Sequence, residues 1–413
     1  MKTTAILLAG LILAVSTTAF AERPPAAQKP GEDATAVANG GNAFALDLYR
    51  QLAKDQKDNL FFSPASIHTA LAMTYAGAGG RTADQMAKTL RFTLGKEKPH
   101  PAFGELMKFL NSPGKGYDGK PAYQLVVANA LWGQKGYPFK PEFTKLVKAN
   151  YEAGLNELDF RDEPVARKTI NDWVAQQTKD KIKDLIPQGV INDLTRLVLT
   201  NAIYFKSNWA HQFQKQATKE EDFHVSTDKK VKASMMHQKH YFGYLETDAF
   251  QALEMPYMVN DLSMVVFLPK KVDGLPDFEK SLTVENLPKW VAGIRAEQVA
   301  VTFPKFKFTS QFGLADVLKG MGMADAFSPD AADFSGMTTM EKLFISAVIH
   351  KAFVAVDEEG TEAAAATAVF MTSFFSPPPG KPFTADHPFL FLIKHNKTGA
   401  ILFLGRVMEP KAE

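Results

Sequence analysis

The sequence predicts an α+β protein on three observations. Helix-like patterns gather early in the chain. Strand-like runs gather late, the segregated order of an α+β fold. The body of about 370 residues is long enough for two ordinary domains, yet no linker or internal repeat divides it.

The elements follow in order. The chain opens MKTTAILLAGLILAVSTTAFA, with one lysine, an apolar stretch from Ala5 to Val15, and small residues at Ala19 and Ala21. That pattern fits a secretory signal over residues 1–21, and the stretch is short for crossing a bilayer. Residues 22–42, rich in Pro, Ala and Gly, read as a flexible leader before a folded body over 43–413. Phe44, Leu46 and Leu48 among polar residues start a helix over Asn42 to Lys54. Ile67 to Gly77 is apolar and small, a buried helix capped by Ser63 or Ser66. Thr82 to Leu90 is a short helix, and Tyr123 to Trp132 a central apolar strand. Val165 to Thr178 is helical, with Ile170 and Trp173 as anchors, and Leu197 to Phe205 is a strand.

Ala252 to Pro256 and Ser263 to Leu268 read as adjacent strands. Val301 to Phe308 alternates, and Pro304 argues for an edge position or a bulge. Phe312 to Met321 reads as helix, and Leu343 to Val356 as a long strand. Phe389 to Ile393 and Ala400 to Leu404 form a hairpin around Asn396-Lys397-Thr398-Gly399. Asn396-Lys397-Thr398 also fits a glycosylation acceptor, though a tight turn explains it as well.

Composition removes several function classes. With no cysteine, disulfides, cysteine-ligated metals and thiol nucleophiles are excluded. A formal net charge of +2 gives no global basic footprint for nucleic acid, and Lys229, Lys230 and Lys232 read as solvated surface. No GxSxG elbow exists. His237 and His240 lie three apart, but MMHQKHYFGY reads as a strand, so no metal and no cofactor is expected.

The stretch Asp357 to Pro379, DEEGTEAAAATAVFMTSFFSPPP, needs its own account. Its alanines suit a surface helix or a plain loop. As a strand, one face carries Thr361, Ala363, Ala365, Thr367, Val369 and Met371, uncharged and growing in size. The other carries Glu362, Ala364, Ala366, Ala368, Phe370 and Thr372. No proline lies between Asp357 and Ser376, so every amide there can join a ladder. Gly360 reads as a pivot, and Pro377 to Pro379 as a stiff far end.

Val356 to Thr367, VDEEGTEAAAAT, resembles the reactive-loop hinge of the serpin family. So do Phe383 to Ile393, Gly405 to Pro410, Asn59 to Ile67 and Asn201 to Trp209, in the family's order over roughly residues 43 to 410. The resemblance implies eight or nine helices around three β-sheets, a metastable fold and an exposed reactive-centre loop at about 358–379. The hinge would comprise Glu358, Glu359, Gly360, Thr361, Glu362, Ala363, Ala364, Ala365, Ala366 and Thr367. Counting fourteen residues from Gly360 places the scissile bond at Phe374–Phe375, with Ser373–Phe374 and Phe375–Ser376 as the neighbouring alternatives.

The resemblance further implies a secreted, prokaryotic inhibitor, extracellular or periplasmic, monomeric and free of membrane. It would trap chymotrypsin-like or subtilisin-like serine proteases, since Phe374 suits a deep apolar pocket. The target would supply the nucleophile, so no catalysis is expected of this chain. Ser63, Ser66, Asn201 and His350 match a polar cluster under the main sheet, with His350 as its pH-sensitive member. Trp209, Lys305 and Glu358 match the point where the loop inserts, and an exposed Lys305–Glu358 pair would contribute little. Two alternatives stand beside this reading: a non-inhibitory member acting as a binding or chaperone module, and an inhibitor of cysteine proteases.

Overall fold

The structure is a computed structural model, and it describes residues 29–116, 119–151, 153–340, 343–361 and 380–411. The first half holds α1 (Glu32–Asp55), β1 (Leu60–Phe62), α2 (Pro64–Tyr75), α3 (Gly80–Thr89), α4 (Pro99–Leu110) and β2 (Tyr123–Gln134). Then come α5 (Pro141–Tyr151), β3 (Leu155–Leu158), α6 (Glu163–Gln177) and β4 (Leu197–Asn208). The middle runs β5 (Lys219–His224), β6 (Lys230–Glu246), β7 (Phe250–Pro256), β8 (Leu262–Pro269), α7 (Leu275–Ser281) and α8 (Asn286–Gly293). It continues through β9 (Arg295–Pro304), β10 (Phe306–Gly313) and α9 (Ala315–Gly320). The last strands are β11 (Ala347–Val356), β12 (Gly360–Thr361), β13 (Lys381–Thr384), β14 (Phe389–His395) and β15 (Ile401–Val407).

The fold is therefore α+β, with nine α-helices among the described residues. The strands form two continuous sheets. One has six strands in the order β10-β11-β12-β4-β2-β3. The other has nine, β1-β15-β14-β8-β7-β6-β9-β13, with β5 also on β6. Three sheets were expected. The ladder stays continuous because the 17-residue β6 pairs with β5 at one end, β7 at the other and β9 along most of its length.

Helix α2 sits between the sheets and is buried at every residue but Ala65. Such a helix is apolar or small all round. Ser63 caps it, its Oγ accepting from Ser66 N at 3.2 Å, and Pro64 occupies the first turn, where its missing N–H costs nothing. One continuous apolar core draws on residues from Val37 to Val407.

Three local expectations are corrected. The leader meets a helix from Glu32, because Ala34, Val37 and Ala38 recur at helical spacing and are buried. Its small residues are there for close packing: a Cβ on Gly40 would stand 2.6 Å from Arg91 O. Pro304 marks no bulge, and the run it interrupts is not one strand: β13 pairs with β9 only as far as Thr302, so Pro304 has a ladder partner, Met235, on one side alone. It ends β9 in the large sheet, and after Lys305 the chain continues as β10 in the other sheet. Phe312 belongs to β10, opposite His350, and the helix begins only at Ala315.

Candidate functional site

The six-stranded sheet is split at its centre. Ala347 to Ala352 of β11 pair in parallel with Val198 to Ile203 of β4. Beyond that point the two strands diverge, and β12 wedges between their far ends. Thr361 lies opposite Val356 on one side and Ser207 on the other, antiparallel to both, and Gly360 lies opposite Asn208. The two-residue strand is reached by a tight turn in which Asp357 N donates to Gly360 O at 3.0 Å. Asp357 Oδ1 accepts from Glu359 N at 2.9 Å and Gly360 N at 3.2 Å. Burial raises the Asp357 carboxyl above its usual value.

Gly360 is not needed for a left-handed backbone; its φ is not positive. What it supplies is the absence of a side chain, because a Cβ there would lie 2.1 Å from Ser207 O. The pivot reading is corrected accordingly. Thr361 is buried, and its hydroxyl shares a hydrogen bond of 2.7 Å with Tyr257 OH. Its side chain thus faces the interior between the sheets.

Residues 209–218 clamp this hinge. Trp209 N donates to Glu359 O at 2.8 Å, and its Nε1–H donates to Asp357 O at 3.0 Å. Phe213 N donates to Glu358 O at 2.8 Å. The Trp209 indole stacks on Tyr257 with centroids 4.6 Å apart. Lys215 reaches Glu359 at 2.6 Å. Glu358 takes Lys305 on one oxygen at 2.9 Å and Thr218 Oγ1 on the other at 2.7 Å. Its side chain is only 5 % exposed, so the pair is no surface ion pair. Burial pushes the Glu358 carboxyl up, but its bonds to Lys305 and Thr218 outweigh that and hold it below the usual glutamate value.

Below the split runs a polar network. Asn129, Asn201 and His350 stand side by side on β2, β4 and β11. Ser63 N donates to His350 Nε2 at 3.2 Å, so the ring carries its proton on Nδ1 and donates it to Asn201 Oδ1. Asn201 Nδ2 donates to Ser66 Oγ and to Asn129 Oδ1. Ser66 Oγ donates to Asn129 Oδ1 at 3.0 Å, and Asn129 Nδ2 returns a bond to Ser66 O at 3.1 Å. Ser63 Oγ donates to Leu402 O at 2.7 Å. Both ring nitrogens of His350 have fixed roles, and a protonated His350 would set N–H against N–H at Ser63. Burial lowers the His350 imidazole to about 3. Sequence reasoning missed Asn129; the available signal was an amide among the small and apolar residues of the run YQLVVANALW.

The structure thus brings Ser63, Ser66, Asn201 and His350 into one network, and Trp209, Lys305 and Glu358 to one end of the split. Glu359, Gly360 and Thr361 lie between them. Glu362, Ala363, Ala364, Ala365, Ala366, Thr367, Phe374 and Phe375 lie outside the described residues, as does the 1–21 segment. His237 and His240 lie on β6 as expected of a strand, and His237 pairs with Glu221 at 2.9 Å. Among the described residues no group of three or more potential ligands could hold a metal. Asn396 Nδ2 is occupied by Asn260 O and Ser263 Oγ, each at 2.9 Å, which favours the turn reading over a glycan acceptor.

Known proteins are similar along nearly the whole chain. The family model described as Serpin (serine protease inhibitor) matches residues 39–410. The human leukocyte elastase inhibitor is 42% identical over 384 residues, covering 91% of this chain and 99% of its own. An uncharacterised serpin-like protein of Thermococcus kodakarensis is 43% identical over 378 residues, covering 91% of this chain and 86% of its own. The crystal structure of Serpin48 from the insect Tenebrio molitor superposes with a TM-score of 0.82 at 34% identity, covering 91% and 98%. One expectation is corrected by these findings. Relatives named as inhibitors make the chain kin to inhibitors, and such kinship does not demonstrate that catalysis is absent. The split sheet, the wedged hinge and the family match over 39–410 lead to one statement: this chain belongs to the serpin family.

Proposed function

We propose that this serpin inhibits serine endopeptidases of chymotrypsin-like or subtilisin-like preference as a suicide substrate. The protease's serine oxygen bonds to the Phe374 carbonyl carbon, and the Phe374–Phe375 C–N bond breaks. The products are an acyl-enzyme on Phe374 and a new amine at Phe375. Residues 361 to 372 then enter the sheet between β4 and β11 and carry the protease away before water reaches the ester.

The observation that carries this reading is β12. Thr361 already occupies the gap with its side chain turned inward. Strand alternation then puts Ala363, Ala365, Thr367, Val369 and Met371 on the same inner side. Continued in this register, Ala363 would meet Phe205 and Val354, and Ala365 would meet Ile203 and Ala352, all buried apolar residues. Small uncharged side chains suit that path, and a charge on it would be desolvated without a partner.

The relative named leukocyte elastase inhibitor supports a protease target. Export, to the periplasm or beyond, rests on the pattern over residues 1–21. A prokaryotic source finds support in the Thermococcus relative. The test is incubation with chymotrypsin followed by denaturing electrophoresis. A heat-stable covalent band near the summed mass is expected, together with a released peptide beginning at Phe375. Loop cleavage without that band would sink the trapping mechanism.

A further inference from the structure

The hinge clamp contains a feature that the trapping reaction does not use. Near the start of residues 209–218, the His211 ring lies flat on the His240 ring of β6, with centroids 3.5 Å apart and planes 23° from parallel. We propose that this histidine pair is an acid-sensitive catch on the hinge: when both rings are protonated their repulsion lifts residues 209–218 off β6 and releases Glu358 and Glu359. The inference deepens the trapping reading, because it concerns what holds the inserting segment in place.

Among the described residues, the surroundings of the two rings offer no counter-ion. Phe242 meets both edge-on, at 6.1 Å and 5.9 Å. His240 Nδ1 lies 3.3 Å from Tyr241 O, and the Gln238 amide donates to His211 O. On β9 the residue opposite His240 is the apolar Val299, and Glu297 farther along is paired with Lys381. Lys215 of the clamp is engaged with Glu359. Among the described residues no carboxylate contacts either ring.

Burial first, and the His240 ring second, hold the His211 imidazole below the usual histidine value. The sign follows. The closed clamp favours the neutral ring, and an opened clamp exposes it to water at about 6.5. Acidification below that value therefore costs the closed state and not the open one. Two of the five bonds that residues 209–218 make to the hinge come from the amides of Trp209 and Phe213, one on each side of His211. The histidine pair is thus coupled to the hinge through two or fewer intervening residues.

Hydrogen exchange at the Trp209 and Phe213 amides of the full chain, at pH 7.5 and pH 5.0 and corrected for intrinsic rates, tests the catch. Wild type should lose protection on the order of fivefold at pH 5.0, the equivalent of one unit-charge pair at contact distance in water. His240→Phe keeps an aromatic ring there without its charge, and should lose less protection than wild type, since only the burial of His211 then opposes its protonation. His211→Gln removes that ring and should keep its protection at both pH values. Wild-type protection that is unchanged, or a loss that persists in full in both variants, overturns the proposal. A chain that passes this test but forms no covalent complex with chymotrypsin would lose the trapping function and keep the catch.

Discussion

Asn129 joins the strands of the polar network. It accepts from both Ser66 and Asn201 and donates back to Ser66 O. Asn129→Leu keeps much of the volume and takes away an acceptor from Ser66 Oγ and Asn201 Nδ2, whose residues are buried. Leaving buried donors unpaired costs about 1–3 kcal/mol, so the urea midpoint of the native state should fall accordingly. An unchanged midpoint would show that the strands are held without the network. The residue was hidden in the sequence because YQLVVANALW reads as packing throughout. Ser63, Ser66, Asn201 and His350 were legible only through the family resemblance, since residues 63 and 350 meet through tertiary structure alone. Glu358 shows the complementary failure. Its sequence neighbours are acidic, which suggests solvent; the resemblance pairs it with Lys305, and only the fold reveals that the pair is enclosed and that Thr218 takes the other oxygen.

At the level of elements, the hinge depends on how closely β12 approaches β4. Gly360→Ala places a methyl group 2.1 Å from Ser207 O, closer than any carbon can sit. Either β12 leaves the gap or β4 bends, and overpacking of this kind costs about 1–3 kcal/mol. Under the proposed mechanism the insertion start is lost, so more inhibitor should be cleaved per covalent complex formed. That ratio, measured by titrating chymotrypsin, should rise above wild type; a ratio equal to wild type would mean that insertion begins elsewhere. Elements with local signatures were legible. The cap and proline at Ser63-Pro64 start α2, and the alternating run ending in Val356 gives β11. The split was not legible, because a parallel pairing between residues 149 positions apart leaves no mark on either strand. Nor was the sheet change at Pro304-Lys305, where one alternating run serves two sheets in turn.

Across the whole molecule, four neutral imidazoles are buried, two of them, His68 and His100, around one aromatic cluster. Burial lowers His68, His100 and His395 to about 4 and His350 to about 3. Each has a fixed polar partner: Leu90 O for His68, Tyr151 OH for His100, Thr398 for His395 and Asn201 for His350. Every folded value lies below the unfolded value of about 6.5. Between the two, the unfolded chain binds protons that the native chain refuses, so stability is fully present above about pH 6.5 and is lost as pH falls toward 4. Each group contributes up to about 1.4 kcal/mol per pH unit within that window. Denaturation midpoints should therefore decline steadily from pH 6.5 to 4.5, above the range where most exposed carboxylates titrate. A flat profile there would mean that the imidazoles already carry protons in the native state. This loss is global, and it separates from the proposed hinge catch by location: at pH 5.0 the catch opens Trp209 and Phe213, whereas the core amides of β14 and β15 exchange only through the unfolding that the four histidines promote.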